Sequence, residues 1–239
     1  MKEEIFKIIN KIRDTIFPVF CIFCEKEGMA VCQNCLKEIE SVPQFFCPVC
    51  YKDNLNGGST CFFCQANSFL DGVMALGSYQ EKKLRQAILE YKYNFKRNVF
   101  IVFEHLADDF LSKVSFHDIF IKKLNWLFVP VPLHRSRYWE RGFNQAEELA
   151  KMLASRVGKE VGAGILKRVK KTSRQVGLGR TERIKNLAGG FIVEKELSGR
   201  DIILVDDVFT TGATLQECAK VLKQAGAGLI WSLTVARER

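Results

Sequence analysis

The sequence predicts an α/β fold, with a mostly parallel sheet flanked by helices and a small metal-binding ribbon module in front of it. One observation is the apolar run at residues 202–205, which precedes a helical pattern of apolar positions, as in a buried parallel strand and its next helix. The other is that eight of the nine cysteines fall into four C-x-x-C pairs within 44 residues. A chain of 239 residues has room for one large domain and one small one.

We expect three parts along the chain: an amphipathic helix at residues 1–17, the ribbon module at 18–68, and the α/β domain at 69–239. The first part places isoleucines at helical spacing but interrupts them with charges, so it lacks the apolar core of a secretory signal. No apolar run approaches the roughly 18 residues that a membrane-spanning helix needs. The predicted location is therefore the cytoplasm, without membrane insertion.

The paired cysteines predict two zinc sites. Each C-x-x-C pair can turn two thiolates toward one ion, and two pairs complete a closed tetrahedral site, which is typical of structural zinc. Without a secretory signal, a disulfide framework is disfavoured. Sequential pairing assigns one ion to Cys21, Cys24, Cys32 and Cys35 and the other to Cys47, Cys50, Cys61 and Cys64. A cross-braced pairing, first pair with third and second with fourth, is the alternative.

Positive charge is concentrated in the α/β part. Residues 71–239 contain 29 Lys and Arg against 19 Asp and Glu, whereas residues 1–70 are nearly balanced, with 7 against 8. Such a surplus favours anionic partners such as nucleotides or nucleic acid, although a solvated lysine-rich surface would produce the same count.

The elements of the α/β part follow in order from residue 71. We predict a strand at 71–79, helices at 81–91 and 97–113, and a buried strand at 126–129, because apolar residues recur there at strand or helix spacing. A last strand is predicted at 229–235.

A cationic turn follows the buried strand at 126–129, and its guanidinium groups suit phosphate oxygens. The candidate phosphate-binding residues there are Leu133, His134, Arg135 and Arg141. His134 has a purely structural interpretation as well. Asn144 is the expected N-cap of the next helix, and a contact between Asn144 and a ligand is a secondary possibility.

The most basic tract of the chain, residues 164–185, contains eight Lys and Arg and one acid after a short predicted strand at 165–169. Gly177 and Gly179 within the tract, together with its weak periodicity, are typical of a loop. We expect a lid over a bound phosphate group, with Lys171 and Arg174 among its cations, and a solvated basic loop is the alternative.

The stretch from Ile202 to Thr214 carries the predicted chemistry. An apolar strand leads to two adjacent acids, and a loop with three hydroxyls and one glycine then precedes a helix. Backbone N–H groups and hydroxyls in such a loop suit a phosphate, and the acids suit the vicinal hydroxyls of a ribose, directly or through Mg²⁺. The predicted ligand residues are Asp206, Asp207, Thr210, Thr211, Gly212, Ala213 and Thr214. Cys218, on the following helix, is predicted to be a buried apolar residue rather than a nucleophile.

This stretch resembles the binding motif for 5-phosphoribosyl-1-diphosphate (PRPP) in type I phosphoribosyltransferases. Together with the cysteine pairs, the V-P-V-P-L-H segment, R-x-x-x-R-G-F-N-Q at 137–145 and T-x-x-Q-x-x-L at 172–178, it resembles the ComF family of amidophosphoribosyltransferase-like proteins, which has ComFC-like and GntX-like members. The resemblance implies a type I phosphoribosyltransferase fold, a diphosphate loop at 133–135, and Mg²⁺ bound with PRPP.

For function, the resemblance implies the handling of incoming single-stranded DNA in the cytoplasm during natural transformation, beside a helicase-like protein partner. The basic loops and the zinc module would then bind the DNA or the partner, and PRPP or a related phosphate would occupy the acidic site. Two other functions fit the same motif: a metabolic phosphoribosyltransferase acting on a small amine or base, and a PRPP-sensing adaptor. The sequence identifies no acceptor pocket, so it leaves catalysis open.

Overall fold

The structure is a computed structural model and describes residues 18–53, 57–94, 96–114, 126–170 and 187–238. The helix predicted at 1–17 and the lid residues Lys171 and Arg174 lie outside these residues.

A six-stranded sheet forms the centre of the fold, in the order β1-β2-β8-β7-β3-β4. Every neighbouring pair is parallel except β1 and β2, which are antiparallel. Two further strands, β5 and β6, form a separate antiparallel pair. The strands are β1 (Gln44–Phe46), β2 (Gly72–Ser78), β3 (Trp126–Pro130), β4 (Glu160–Val161), β5 (Leu166–Arg168), β6 (Phe191–Val193), β7 (Asp201–Phe209) and β8 (Ile230–Arg237).

Helices cover both faces of the sheet, which explains why residues 202–205 of the central strand are apolar without alternation and fully buried. One face packs against α2, α3 and α5, and the other mainly against α6 and the β5–β6 pair. The helices are α1 (Gln33–Lys37), α2 (Lys82–Tyr93), α3 (Ile101–Lys113), α4 (Arg135–Arg141), α5 (Gln145–Arg156) and α6 (Ala213–Gln224), with short 3-10 helices at Phe62–Asn67 and Arg97–Phe100.

Several helix ends are fixed by side chains that the sequence makes recognisable. The Glu81 carboxylate accepts a hydrogen bond from the Lys83 backbone N–H at 3.0 Å, at the start of α2. The predicted N-cap, Asn144, accepts from the Ala146 N–H at 3.2 Å and starts α5. These caps satisfy backbone donors that have no partner in the first turn of a helix.

The structure corrects the expected end of the central strand. We predicted that the strand would end before Asp206 and Asp207, but β7 continues through both acids to Phe209. The pairing with β8 explains the extension, since Asp206 lies opposite Thr234 and Phe209 lies opposite Arg237.

Two further features differ from the expected elements. β1 lies within the predicted ribbon module, yet it pairs with β2 and extends the main sheet. The strand expected at 165–169 is β5, which pairs with β6 instead of joining the main sheet. Among the described residues, no helix combines the length and apolar character needed to cross a membrane.

Candidate ligand site and cysteine clusters

A cavity of about 600 Å³ lies at the carboxyl ends of the parallel strands, and both predicted acids line it. This edge is where open α/β sheets bind their ligands. Asp206 and Asp207 are joined by a short hydrogen bond, in which the Asp207 backbone N–H donates to Asp206 Oδ1 at 2.8 Å. Thr210 and Thr214 line the same cavity, so the acids and the ends of the hydroxyl loop face one space.

The loop between them, residues 210–214, turns sharply at Gly212, which has a φ of 71° and caps the N-terminus of α6. A side chain is excluded there twice over: the left-handed conformation favours glycine, and a Cβ would lie 2.6 Å from the Phe209 ring. The loop therefore presents backbone at the start of a 12-residue helix. Backbone donors and the helix dipole together favour an anion at this point.

Lys92 is a site residue that the sequence reasoning missed. It lies near the end of α2, lines the cavity, and its Nζ is 2.7 Å from Asp207 Oδ2. Burial alone would lower the pKa of the ammonium, but the Asp207 carboxylate outweighs it and raises that pKa. Nothing in the sequence around Lys92 connects it with acids more than a hundred residues away, and only the docking of α2 brings them together.

The carboxyl of Asp206 has a raised pKa. Burial and the neighbouring Asp207 charge raise the pKa of its carboxyl from 3.8 to about 7, and Lys92 and Arg168 oppose that shift. Near neutral pH and without a ligand, the Asp206 carboxyl is therefore partly protonated. A cation arriving at this pair would displace the proton and restore both acceptors.

Three arginines form the cationic part of the cavity: Arg137 and Arg141 on α4, and Arg168 on β5. Burial lowers the pKa of Arg141 and of Arg168, but from a value high enough that both keep their charge. Gln145 is 2% exposed, and its Oε1 accepts from Arg141 Nη1 at 3.2 Å. Its buried Nε2 has no partner among the described residues, and it lines the cavity as a donor for a ligand oxygen.

The predicted phosphate-binding residues of the cationic turn divide into two sets. Leu133 and Arg141 line the cavity. His134 instead caps α4, where its Nδ1 accepts from the Ser136 N–H at 3.2 Å, and Arg135 is exposed to solvent. Asn144 caps α5, as predicted, and it also lines the cavity, so a contact with a ligand stays a prediction.

The eight paired cysteines form two separate clusters in sequential order, which excludes the cross-braced arrangement. The first cysteine group is Cys21, Cys24, Cys32 and Cys35, and the second cysteine group is Cys47, Cys50, Cys61 and Cys64. Within each group the four sulfur atoms lie within 4.8 Å of one another. The Cys24–Cys32 and Cys50–Cys61 sulfur distances are 3.6 and 3.8 Å, close to the roughly 3.8 Å that a tetrahedral ion with 2.3 Å Zn–S bonds requires.

In both groups the pKa of the first cysteine is lowered and that of the fourth cysteine is raised. Burial opposes the ionisation of Cys21 and Cys47, but nearby backbone N–H groups outweigh it and lower the pKa of each thiol to about 6. Burial raises the pKa of Cys35 to about 12, and the neighbouring Cys61 sulfur does the same for Cys64. The Cys35 backbone N–H also lowers the pKa of Cys32, so the first group has two thiols with a lowered pKa and the second group has one. A bound ion would stabilise the thiolate form of all four. Cys218 is fully buried, as predicted.

Taken together, the cavity can hold an anion on its loop, place hydroxyl groups or a cation against its acids, and neutralise further negative charge with its arginines. The donor set of Asp206 and Asp207 consists of oxygen ligands, which suits Mg²⁺ bound jointly by protein and phosphate. The closed sulfur clusters suit zinc in a structural role.

Comparisons with known proteins agree with this geometry. Residues 140–239 match the family described as the phosphoribosyl transferase domain. The chain is 32% identical over 241 residues to "Competence protein F" of Haemophilus influenzae, an alignment that covers 92% of this chain and 98% of that protein. It is 29% identical over 219 residues to "Competence protein ComFC" of Streptococcus pneumoniae, covering 90% and 91%. A shorter match, 36% over 107 residues, links it to "DNA utilization protein YhgH" of Escherichia coli K12, covering 44% and 47%.

Proposed function

Because the chain belongs to the ComF family, we propose that it binds PRPP, or a closely related phosphoribosyl compound, and handles single-stranded DNA during DNA uptake. The observation that carries the first half is the shared cavity, in which an acid pair, Thr210 and Thr214 at the two ends of the hydroxyl loop, and three arginines face one space. The names of the similar proteins, which refer to competence and DNA utilization, support the second half.

In the proposed complex, the 5-phosphate occupies the loop at 210–214, whose backbone N–H groups and hydroxyls donate to it. Asp206 and Asp207 accept from the ribose hydroxyls, and Arg137 and Arg141 contact the diphosphate. Asp206 and Asp207 would hold a bound Mg²⁺, which would supply positive charge beside the phosphate oxygens. Lys92, whose Nζ is 2.7 Å from Asp207 Oδ2, orients that carboxylate before the ligand arrives.

Calorimetry with PRPP and Mg²⁺ tests this proposal. The change is Asp206→Asn with Asp207→Asn, which keeps the size of both side chains and removes their charge. The wild type is expected to bind, and the variant is expected to lose at least about tenfold in affinity because charge-assisted contacts are lost. The control is Asp108→Asn, an exposed acid on α3 that pairs with Arg156. Absence of binding by the wild type, or equal binding by the acid variant, would overturn the proposal.

The outward side of α4 supports the DNA half of the proposal. Arg137 and Arg141 line the cavity, whereas Tyr138 and Trp139 on the same helix are 49% and 85% exposed. Arg135, also exposed, stands one turn before Trp139. Exposed aromatic rings beside cations are the features with which proteins bind single strands, because bases stack on the rings and phosphates contact the cations. The basic tract contributes further charge, including Lys167 and Lys170.

Binding of a fluorescent oligothymidine tests the role of α4. The variant Tyr138→Ala with Trp139→Ala is expected to bind at least about thirtyfold more weakly, since each stacked base contributes roughly 1–3 kcal/mol and two rings are removed. The matched control is Phe62→Ala with Phe63→Ala, which removes two rings that are 81% and 90% exposed between Cys61 and Cys64 of the second cysteine group. Affinity should also fall with rising salt. If both double variants bind like the wild type, α4 is not the DNA surface. If only the variant of Phe62 and Phe63 binds more weakly, the DNA surface is the segment that contains these two residues.

A further inference from the structure

We propose that Tyr51 is a positioning residue for the loop at 210–214, so that the second cysteine group holds the phosphate-binding loop in shape while the first does not. The inference rests on the proposed function in assigning a phosphate to the loop. Three contacts join residues beside the second cysteine group to the loop and to the strand ends that support it.

The first contact starts from an unusual backbone conformation. Tyr51 directly follows Cys50 and has a φ of 60°, and its N–H donates to the Cys47 carbonyl at 3.0 Å, which closes the metal-binding turn. Non-glycine residues rarely adopt this left-handed conformation. The equivalent residue of the first cysteine group, Glu25, has the same φ of 60° and the same bond, from its N–H to the Cys21 carbonyl at 2.9 Å. The turn thus dictates the backbone, and what differs is the side chain.

From this turn the Tyr51 side chain reaches the loop. Its hydroxyl donates to the Thr211 carbonyl at 3.0 Å, across 160 positions of sequence. In a planar trans peptide the C=O and the following N–H point in opposite directions. Holding the Thr211 carbonyl toward Tyr51 therefore directs the Gly212 N–H away from the ribbon. That N–H belongs to the loop that we propose for the phosphate, so Tyr51 sets the orientation of a ligand donor without touching the ligand.

The second contact is aromatic. The Phe209 ring, at the end of β7, packs edge-on against Phe46 with ring centroids 4.8 Å apart, and its centroid is 6.2 Å from that of Tyr51. The same ring also lies so close to Gly212 that a Cβ there would be 2.6 Å from it. Displacement of the ribbon would therefore be transmitted through Phe209 to the glycine of the loop.

The third contact is a buried arginine. Arg237, at the end of β8, is 2% exposed and lies opposite Phe209 in the sheet. Its guanidinium donates to Asp53 Oδ1 at 2.5 Å and to the Tyr51 carbonyl, and it stacks on the Phe46 ring at 3.9 Å. Within the described part of the chain, the groups that contact this buried charge come from the segment 46–53. The segment is thereby fastened to the strand next to the loop.

The test uses two single-atom-scale changes at equivalent positions, Tyr51→Phe and Glu25→Gln. Hydrogen exchange of the amides in 209–214 is measured without ligand, zinc content is measured by metal analysis, and PRPP affinity is measured by calorimetry. For Tyr51→Phe we expect unchanged zinc content, loop exchange faster by roughly three- to tenfold, and PRPP binding weaker by a similar factor, the range of one net hydrogen bond. Glu25→Gln should match the wild type throughout.

The exchange result decides the inference by itself. If loop exchange in Tyr51→Phe equals that in the wild type, Tyr51 does not position the loop, whatever the PRPP data show. If exchange rises but the wild type binds no PRPP, the positioning stands and the proposed ligand is wrong. Faster exchange in Glu25→Gln as well would show that the effect is not specific to the second group, and would also overturn the inference.

Discussion

The two cysteine groups share their chemistry but differ in what they support. Both use C-x-x-C turns with a left-handed residue after the second cysteine, and in both the pKa of the first cysteine is lowered to about 6 and that of the fourth is raised to about 12. The first group packs on helices: the Ile22 carbonyl accepts from Gln86 on α2, and the Ile39 carbonyl accepts from His105 on α3 at 3.1 Å. The second group packs on the strand ends beside the ligand loop.

The same kind of metal-binding unit therefore has a different structural role in each of the two groups. A closed Cys₄ cluster makes a small segment rigid wherever it occurs, because the segment has little apolar core of its own. Which part of the protein the rigid segment supports depends on the side chain of the residue that follows the second cysteine. Glu25 points into solvent after the first group, whereas Tyr51 reaches the Thr211 carbonyl after the second.

The largest effect is expected from removing one metal ligand in each group, with Cys50→Ser compared with Cys24→Ser. Both cysteines are exposed and occupy the same position in their turns. Each variant should lose the metal of its own group, as metal analysis would show. Only Cys50→Ser should weaken PRPP binding, by about tenfold or more, because Tyr51 and Phe46 lose their fixed positions together.

Equal losses of PRPP affinity in the two cysteine variants would contradict the division of roles. Loss of affinity in Cys24→Ser alone would reverse it. A circular dichroism spectrum of each variant shows whether the α/β part has stayed folded, so that a general loss of structure is recognised.

A smaller effect is expected from the ion pairs that attach each group. Asp53→Asn removes the carboxylate that pairs with the buried Arg237, and it should lower the free energy of unfolding by about 1–2 kcal/mol; the figure is reduced because Asp53 itself is 61% exposed. Glu38→Gln removes the carboxylate that pairs with Lys83 beside the first cysteine group. That pair is more exposed, with 25% and 65% of its side chains accessible, so the loss should stay below about 1 kcal/mol.

Urea unfolding measures both changes. Equal values for Asp53→Asn and Glu38→Gln would mean that burial of Arg237 does not make its attachment stronger than a surface pair, which would weaken the case for a firm link between the second group and β8.

Much of the site was predictable because its chemistry is local in sequence. The apolar run at 202–205, the acids, the hydroxyl loop and the Asn144 cap each follow from adjacent residues and regular spacing. The family was recognisable for the same reason, from an ordered set of short motifs.

The parts that the sequence did not predict depend on contacts between distant segments. Lys92 looks like an ordinary helical lysine, and Tyr51 looks like a residue after a metal-binding turn, until α2 and the ribbon are packed on the strand ends. The extension of β7 through its acids follows from pairing with β8, because isolated carboxylates disfavour a strand and only the neighbouring strand stabilises one there. Short-range propensity does not contain that information.

The smallest expected effect concerns α2, which contacts the first cysteine group through Lys83 and the cavity through Lys92. Asp206 has a pKa of about 7 in the folded protein and 3.8 as a free group, so unfolding releases a proton between these values. Its contribution to stability is therefore largest at low pH and falls as the pH rises from about 4 to 7. Conversely, Mg²⁺-dependent PRPP binding should strengthen as the pH rises through about 7, because the cation needs the ionised carboxylate.

Lys92→Met should move the midpoint of this binding profile to higher pH, since the Lys92 charge lowers the pKa of Asp206. Calorimetry across the pH range from about 6 to 8 measures the shift, and Asp206→Asn should abolish the step. Lys83→Met is the control: it removes the same charge from the same helix at the end that faces the first cysteine group. If the midpoint moves equally in both lysine variants, the shift comes from the total charge of α2 and not from the Lys92 contact. In that case charge changes beside the first cysteine group would also alter the pKa of Asp206.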